Sequence, residues 1–234
     1  MPILCAFCHR YRMVPILTTV LMLAACGGGR PAVIGPVHDA EALAVELQHE
    51  TSLETPLRIV FDWHLNEAGQ RVEGRGVARI EPPYRARLDL FLDNGETVIS
   101  AALIEGDLRL PVGSPEEILP PPDLLWGTLG VFRPRHGTRL LGGDRLEGDA
   151  RRLRYTYDDG TELHYHVTDK MLKTLEVVEG ESVVQRVLVN LDDNGRYPVE
   201  ATYRNLADFR ELRLVRESLE IVTPYDPDIW DPLG

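Results

Sequence analysis

From Leu57 the chain alternates with a period of two. Leu57, Ile59, Phe61, Trp63 and Leu65 fall on one side of the pattern, and Arg58, Val60, Asp62 and His64 on the other. Such alternation predicts a strand with one buried and one wet face. After the turn Asn66-Glu67-Ala68-Gly69-Gln70, a second run places Val72, Gly74, Gly76, Ala78 and Ile80 on the apolar side. Beyond Pro82-Pro83, a third places Tyr84, Ala86, Leu88, Leu90 and Leu92 there. Asp93-Asn94-Gly95 is a hairpin turn signal, and Thr97, Ile99, Ala101 and Leu103 continue the alternation towards a short strand over 108–112. These runs predict consecutive antiparallel strands.

Two other stretches follow the helical period. Ala40, Leu43, Ala44 and Leu47 recur three and four apart behind Asp39, a residue suited to N-capping, and Pro56 closes the segment. Ser114-Pro115-Glu116-Glu117 is a helix-start signature. A Pro120-Pro121-Pro122 break then precedes a short apolar helix over 123–129, and the Arg-, Gly- and Pro-containing stretch 131–143 reads as a loop. Strands resume around Leu153, Tyr155 and Tyr157, then Leu163, Tyr165 and Val167. A hairpin follows over 171–178 and 182–191, then Tyr197 to Tyr203, and a last long strand from Phe209. The reading is mainly β (α+β): about 10–11 strands and 2–3 helices. An antiparallel sheet this long must curl or split, so a curled sheet or incomplete β-barrel covered by the helices is expected.

The first 37 residues carry a different signal. His9, Arg10 and Arg12 precede an apolar run over 13–23, too short to span about 30 Å of hydrocarbon. A basic start, a short apolar core and small residues describe a secretory signal peptide. Leu23-Ala24-Ala25-Cys26 resembles the lipobox of bacterial lipoproteins, which implies cleavage before Cys26 and attachment of a diacylglycerol to its thiol. The expected division is 1–25 signal peptide, 26–37 lipidated Cys and linker, 38–222 one domain, and 223–234 tail. Cys5-Ala6-Phe7-Cys8-His9 matches the c-type haem pattern. It lies before the apolar run, in the discarded part, so no cofactor is expected. Cys26 is then the sole remaining cysteine, which leaves stability to burial rather than to disulfides.

The lipobox, the early helix, the paired strands and the mid-chain Leu124-Leu125-Trp126-Gly127 insertion together resemble the LolA/LolB-like outer-membrane lipoprotein carriers. That resemblance implies an incomplete antiparallel barrel over a hydrophobic cavity that receives acyl chains. The apolar side of the early strands, Phe61, Trp63, Leu65, Leu88, Leu90, Leu92, Ile99 and Leu103, is the candidate lining; the alternative is that these residues are simply core. The implied function is non-covalent binding of a lipid or an acylated protein by a membrane-anchored protein. LolB exposes an apolar residue on a loop between early strands, whereas Asp93-Asn94-Gly95-Glu96 is tight and polar here. Gly27 stands where an Asp would signal inner-membrane retention, so the outer membrane, facing the periplasm, is the expected location.

Charge and motifs exclude other classes. The whole chain has a formal charge of −12, and without Arg10 and Arg12 there remain 23 basic and 37 acidic residues, or −14. Such a surface repels phosphate polymers, so no nucleic-acid partner is expected. None of the five serines lies in G-x-S-x-G, and His49-Glu50 lacks the second His of H-E-x-x-H, where Leu53 stands. No catalytic residue and no enzyme is predicted; a hydrolase would need a polar triad that the sequence does not place. His164-Tyr165-His166 offers two imidazoles on one strand face, with a third ligand needed from a distant strand. It reads as a solvent-facing pair, and Asp192, Asp193 and Asn194 as a hairpin turn rather than a calcium loop, so no metal site is expected. The competing function is a non-catalytic envelope scaffold that binds a protein partner through its edge strands or through a tail carrying Tyr225, Ile229 and Trp230.

Overall fold

The computed structural model describes residues 31–232. Cys26 and the entire leader reading lie outside these residues. No helix among the described residues is long and apolar enough to cross a membrane.

The alternating runs fold as antiparallel strands: β2 (Leu57–Glu67), β3 (Gln70–Glu81), β4 (Arg85–Leu92), β5 (Thr97–Ile104) and the short β6 (Asp107–Arg109). The second half contributes β7 (Arg139–Leu146), β8 (Arg151–Thr156), β9 (Glu162–Thr168), β10 (Met171–Glu179), β11 (Ser182–Leu191), β12 (Pro198–Asn205) and β13 (Arg210–Ile221). With β1 (Val33–Pro36), they form one sheet of 13 strands among the described residues, ordered β1-β7-β8-β9-β10-β11-β12-β13-β2-β3-β4-β5-β6. The sheet is not closed, which agrees with the expected incomplete barrel. The long β13–β2 pairing joins the two halves, with Leu214 opposite Trp63 and Leu212 opposite Leu65.

The strand count exceeds the expected 10–11 for two physical reasons. β1 lies inside the stretch read as linker, and pairs with β7 through Val33, Gly35 and Pro36. β7 begins inside the stretch read as a loop, because Gly142-Gly143 resembles a strand breaker. Gly142 instead sits at a register shift against β8, and a Cβ on Gly143 would come within 3.0 Å of the Val37 side chain. Glycines within a strand here mark a bulge and a close approach.

Two α-helices lie among the described residues: α1 (Ala40–Glu50) and α2 (Pro122–Thr128). The Asp39 carboxylate caps α1 by accepting from the Ala42 amide at 2.8 Å, and Leu43 and Leu47 are buried. The helix start expected at Ser114-Pro115 yields only a single 3-10 turn, Glu116–Ile118, without a side-chain cap. Residues preceding proline are forced towards extended backbone, and Pro120-Pro121-Pro122 stops the turn from growing.

Inward side chains from nearly every strand join those of the two helices in one apolar core, with Leu47, Trp63, Trp126 and Tyr165 all but inaccessible. The expected alternation of the early strands holds along β2 and over most of β3 and β4, except that Val72 at the start of β3 is exposed and Asp89 on β4 is buried. Trp63 lies across its neighbours and donates its indole N–H to the carbonyls of Arg75 (3.1 Å) and Phe91 (3.0 Å). Gly74 lets the β4 backbone approach and Gly76 makes room for Phe61: a Cβ would reach 2.0 Å from the Phe91 carbonyl at Gly74, and 2.4 Å from the Phe61 ring at Gly76.

The outer face is ionic. Cross-strand pairs include Arg79–Asp89 (2.5 Å), Arg152–Asp144 (2.5 Å) and Arg213–Glu200 (2.8 Å). The tail after β13 lies on this face over β4 and β5. Tyr225 donates its amide to Glu81 (3.1 Å) and its hydroxyl to the Leu57 carbonyl (2.9 Å), while Arg87 donates to the Ile229 carbonyl (2.7 Å). Trp230 is buried, and the Tyr225 ring meets it edge-on at 5.8 Å. Tyr225, Ile229 and Trp230 are thus engaged with their own domain and are not a free docking peptide.

Candidate functional site

The inner face is almost completely filled. A narrow apolar crevice remains where the end of α2 meets the sheet. Ile59, Phe61, Ala78 and Leu88 form one wall, Thr128 and Leu129 the second, and residues 198–201 with Leu214 and Arg216 the third. Its volume is about 30 Å³, room for roughly two water-sized molecules at about 10–15 Å³ each. Of the predicted lining residues, Phe61 and Leu88 border the crevice. Trp63, Leu65, Leu90, Ile99 and Leu103 are buried in the continuous core, and Leu92 packs half-buried against it. Most of the predicted set therefore lies in the packed core rather than along the crevice.

The crevice has one cation at its edge. Arg216 follows Leu212 and Leu214 on the inner side of β13, opposite Phe61, just before the strand shifts register against β2. Its guanidinium pairs with Asp192 at 3.4 Å. Arg216 continues the inward alternation of Leu212 and Leu214, and the apolar side of β13 switches only beyond it, with Leu219 opposite Ile59.

α2 is the element that closes the crevice, and several contacts hold it. It packs on β10, β11 and β12, where Gly127 lies so close to Leu175 that a Cβ would come within 2.7 Å of that side chain. The Trp126 indole donates to the Glu105 carbonyl at 2.7 Å. Asp123 in the first turn accepts the Tyr157 hydroxyl at 2.5 Å. Burial pushes the Asp123 carboxyl above its ordinary range, against the pull of Tyr157, Arg135 and Arg133. Burial also raises Tyr157, and the neighbouring Asp123 raises it further. The Tyr165 hydroxyl beside this seam is buried without a hydrogen-bond partner. With seven residues and no side-chain cap, α2 is short enough that its stability comes from this packing rather than from the helix itself.

A second cluster lies on the outer face. Leu163 and Tyr165 point inward, and His164 and His166 outward, as the alternation predicts. The pair is not solvent-facing, however: His164 is 7% exposed, covered by neighbouring charged side chains. Its imidazole lies 2.7 Å from Glu162, and that of His166 lies 3.2 Å from Glu176. Burial lowers the His164 pKa despite the opposing pull of Glu162. Burial also disfavours ionisation of Glu176, but hydrogen bonds and charges from His166 and Arg186 outweigh it and hold the carboxyl at about 2. The three residues His164, His166 and Glu176 bring potential ligand atoms within 4.8 Å of one another.

A further surface feature escaped the sequence reading. Phe209, at the β12–β13 turn, is 81% exposed with φ +53°. Asn205 fixes this turn by accepting from the amides of Ala207 (3.1 Å) and Asp208 (3.2 Å). A bulky residue held exposed in left-handed backbone is uncommon; Leu206 in the same turn is also exposed.

No family model and no curated protein matches the sequence. Solved structures do resemble the fold. A LolA superfamily protein from Nitrosomonas europaea superposes with a TM-score of 0.54 at 10% identity, over 82% of this chain and 96% of that one. A domain assigned as an outer membrane lipoprotein-sorting protein from Vibrio parahaemolyticus gives 0.52 at 9% identity, over 81% and 94%. A DUF1329 family protein from Desulfovibrio piger gives 0.50 at 10% identity, over 84% and 97%. The chain has a LolA/LolB-like fold, in agreement with the layout expected from its sequence.

Proposed function

We propose that this protein is an exported, acyl-anchored lipoprotein of the bacterial envelope that binds acyl chains, or the acylated end of another protein, beneath α2. The anchor is placed on Cys26, and the outer membrane facing the periplasm is its site of work. The observation that carries this reading is the apolar crevice at the end of α2, the short cover of an open sheet. The fold likeness to a LolA superfamily protein and to a lipoprotein-sorting domain supports it. Binding is non-covalent: α2 swings away from β10–β12, and hydrocarbon replaces it against Phe61, Leu88 and Leu214. The apolar lining makes this favourable at roughly 0.8 kcal/mol for each buried methylene. Arg216 at the mouth then faces an anionic or ester head group. The polar groups here are already engaged, Asp123 with Tyr157 and Arg216 with Asp192, which fits a binding protein rather than an enzyme.

A scaffold that docks an envelope protein is the second reading, and the observation favouring it is the rigidly displayed Phe209. Mass spectrometry of protein extracted in mild detergent separates the two. The carrier reading expects a chain beginning at lipid-modified Cys26, with one co-purified lipid per chain that Leu129→Arg removes. Lipid-free protein whose fatty-acid uptake is unchanged by Leu129→Arg sinks it. A stoichiometric partner cross-linked through position 209 supports the scaffold.

A further inference from the structure

The geometry points to a binding site for a divalent transition-metal ion of the zinc class, formed by His164, His166 and Glu176 on the outer face of β9 and β10. The topology assembles it. His164 and His166 stand two apart on β9 and therefore share a face, and the antiparallel register sets Glu176 of β10 directly opposite His164. One nitrogen from each ring and one carboxylate oxygen lie within 4.8 Å of one another. His166 Nε2 and Glu176 Oε2 are 3.2 Å apart. Two ligands on a tetrahedral ion with bonds of about 2.0–2.1 Å are separated by roughly 3.3–3.4 Å. One edge of the tetrahedron is therefore already formed, and an ion would replace the proton shared across it. Bringing in His164 requires a closure of about 1.5 Å at most, within reach of a side-chain rotation.

The surroundings favour occupancy. Glu176 is 5% exposed, so the carboxylate is largely removed from water. Its other oxygen, Oε1, accepts from Arg186 at 2.8 Å and 2.6 Å, which aims Oε2 at the imidazoles. Such outer partners orient metal ligands and tune their affinity. Glu162, 2.7 Å from His164 Nε2, can orient that ring or supply a fourth donor. The nearby Arg152 and Arg154 are both paired with Asp144, at 2.5 Å and 3.1 Å, which offsets their repulsion of a cation. Two imidazoles with one carboxylate select Zn²⁺, Ni²⁺, Co²⁺ or Cu²⁺ over Mg²⁺ and Ca²⁺, which prefer oxygen ligands. The ion would cross-link β9 to β10 behind Leu175, the residue against which Gly127 of α2 rests.

The test uses chelator-stripped full-length protein carrying Cys5→Ser, Cys8→Ser and Cys26→Ser, so that no thiol competes. ZnCl₂ alone is titrated calorimetrically, with ¹⁵N imidazole spectra recorded in parallel. The expected result is one Zn²⁺ per chain, with metal-induced shifts at the His164 and His166 ring nitrogens and none at His9, His38, His49, His64 or His136. His166→Ala and Glu176→Gln, which remove direct ligands, should each weaken binding by at least the roughly 10- to 100-fold that loss of an outer partner costs. The imidazole spectra need no substitution in the site, so they decide the matter even if a variant fails to fold. Absence of shifts at His164 and His166 at one equivalent of Zn²⁺, or uptake unchanged in both folded variants, overturns the proposal.

Discussion

Leu212 and Leu214 on β13 are sealed in the core, while Arg213 between them reaches outward to Glu200. The two faces of the sheet differ in this way along most of their length, and they are held by different physics. Burying a large apolar side chain on the inner face contributes about 1.5–3 kcal/mol. An exposed ion pair on the outer face contributes about 0–1 kcal/mol and weakens with salt. The inner face therefore sets stability and the curl, and the outer face chiefly sets solubility and strand registration. The His164–Glu176 region departs from this division, because its charged groups are outward yet largely covered.

Substitutions can break or sharpen the contrast. The largest effect is expected at Trp63. Trp63→Ala removes its inward bulk and leaves the Arg75 and Phe91 carbonyls without that donor, and should cost about 3–5 kcal/mol in urea denaturation. A loss under about 1 kcal/mol would mean that the inner face is not the load-carrying side. Next comes Glu176→Gln. The folded carboxyl sits at about 2, below its ordinary value of 4.5. Its contribution is complete above pH 4.5 and is lost as pH falls towards 2, because the unfolded chain takes up the proton first. The variant should be less stable at neutral pH by up to about 2 kcal/mol, with the difference shrinking across that window; a constant gap from pH 6 to pH 2 contradicts the assignment. Tyr165→Phe removes a buried hydroxyl that has no partner, so thermal melts should show stability unchanged or raised by up to about 1 kcal/mol. The smallest effect belongs to Arg58→Ala, which breaks the exposed pair with Glu220. A change below about 0.5 kcal/mol, smaller still in high salt, is expected from calorimetry.

Much of the inner face was legible in the sequence because strand alternation records burial directly. Phe61, Trp63, Leu65, Leu88, Leu90, Ile99 and Leu103 are all buried as the period of two requires. The Asp39 cap and the short helix after Pro120-Pro121-Pro122 were legible too, since capping and proline act locally. What escaped depends on pairing between distant segments. Gly142-Gly143 read as a break until the close approach of Val37 explained it. Leu219 rejoins the apolar side opposite Ile59 only because of the bulge after Arg216. Glu176 faces His164 only through a register that shifts between Leu172 and Thr174. How tightly α2 would fill the space over Phe61 and Leu88 is a matter of volume, which a one-dimensional pattern does not record.

The strands at the two ends of the sheet, β1 and β6, have four and three residues. An incoming chain would find only that many backbone groups to pair with, too few to seed growth of a shared sheet. An open barrel would otherwise risk polymerising wherever many copies crowd together. Truncated borders let the sheet remain unclosed without becoming a template for its own copies.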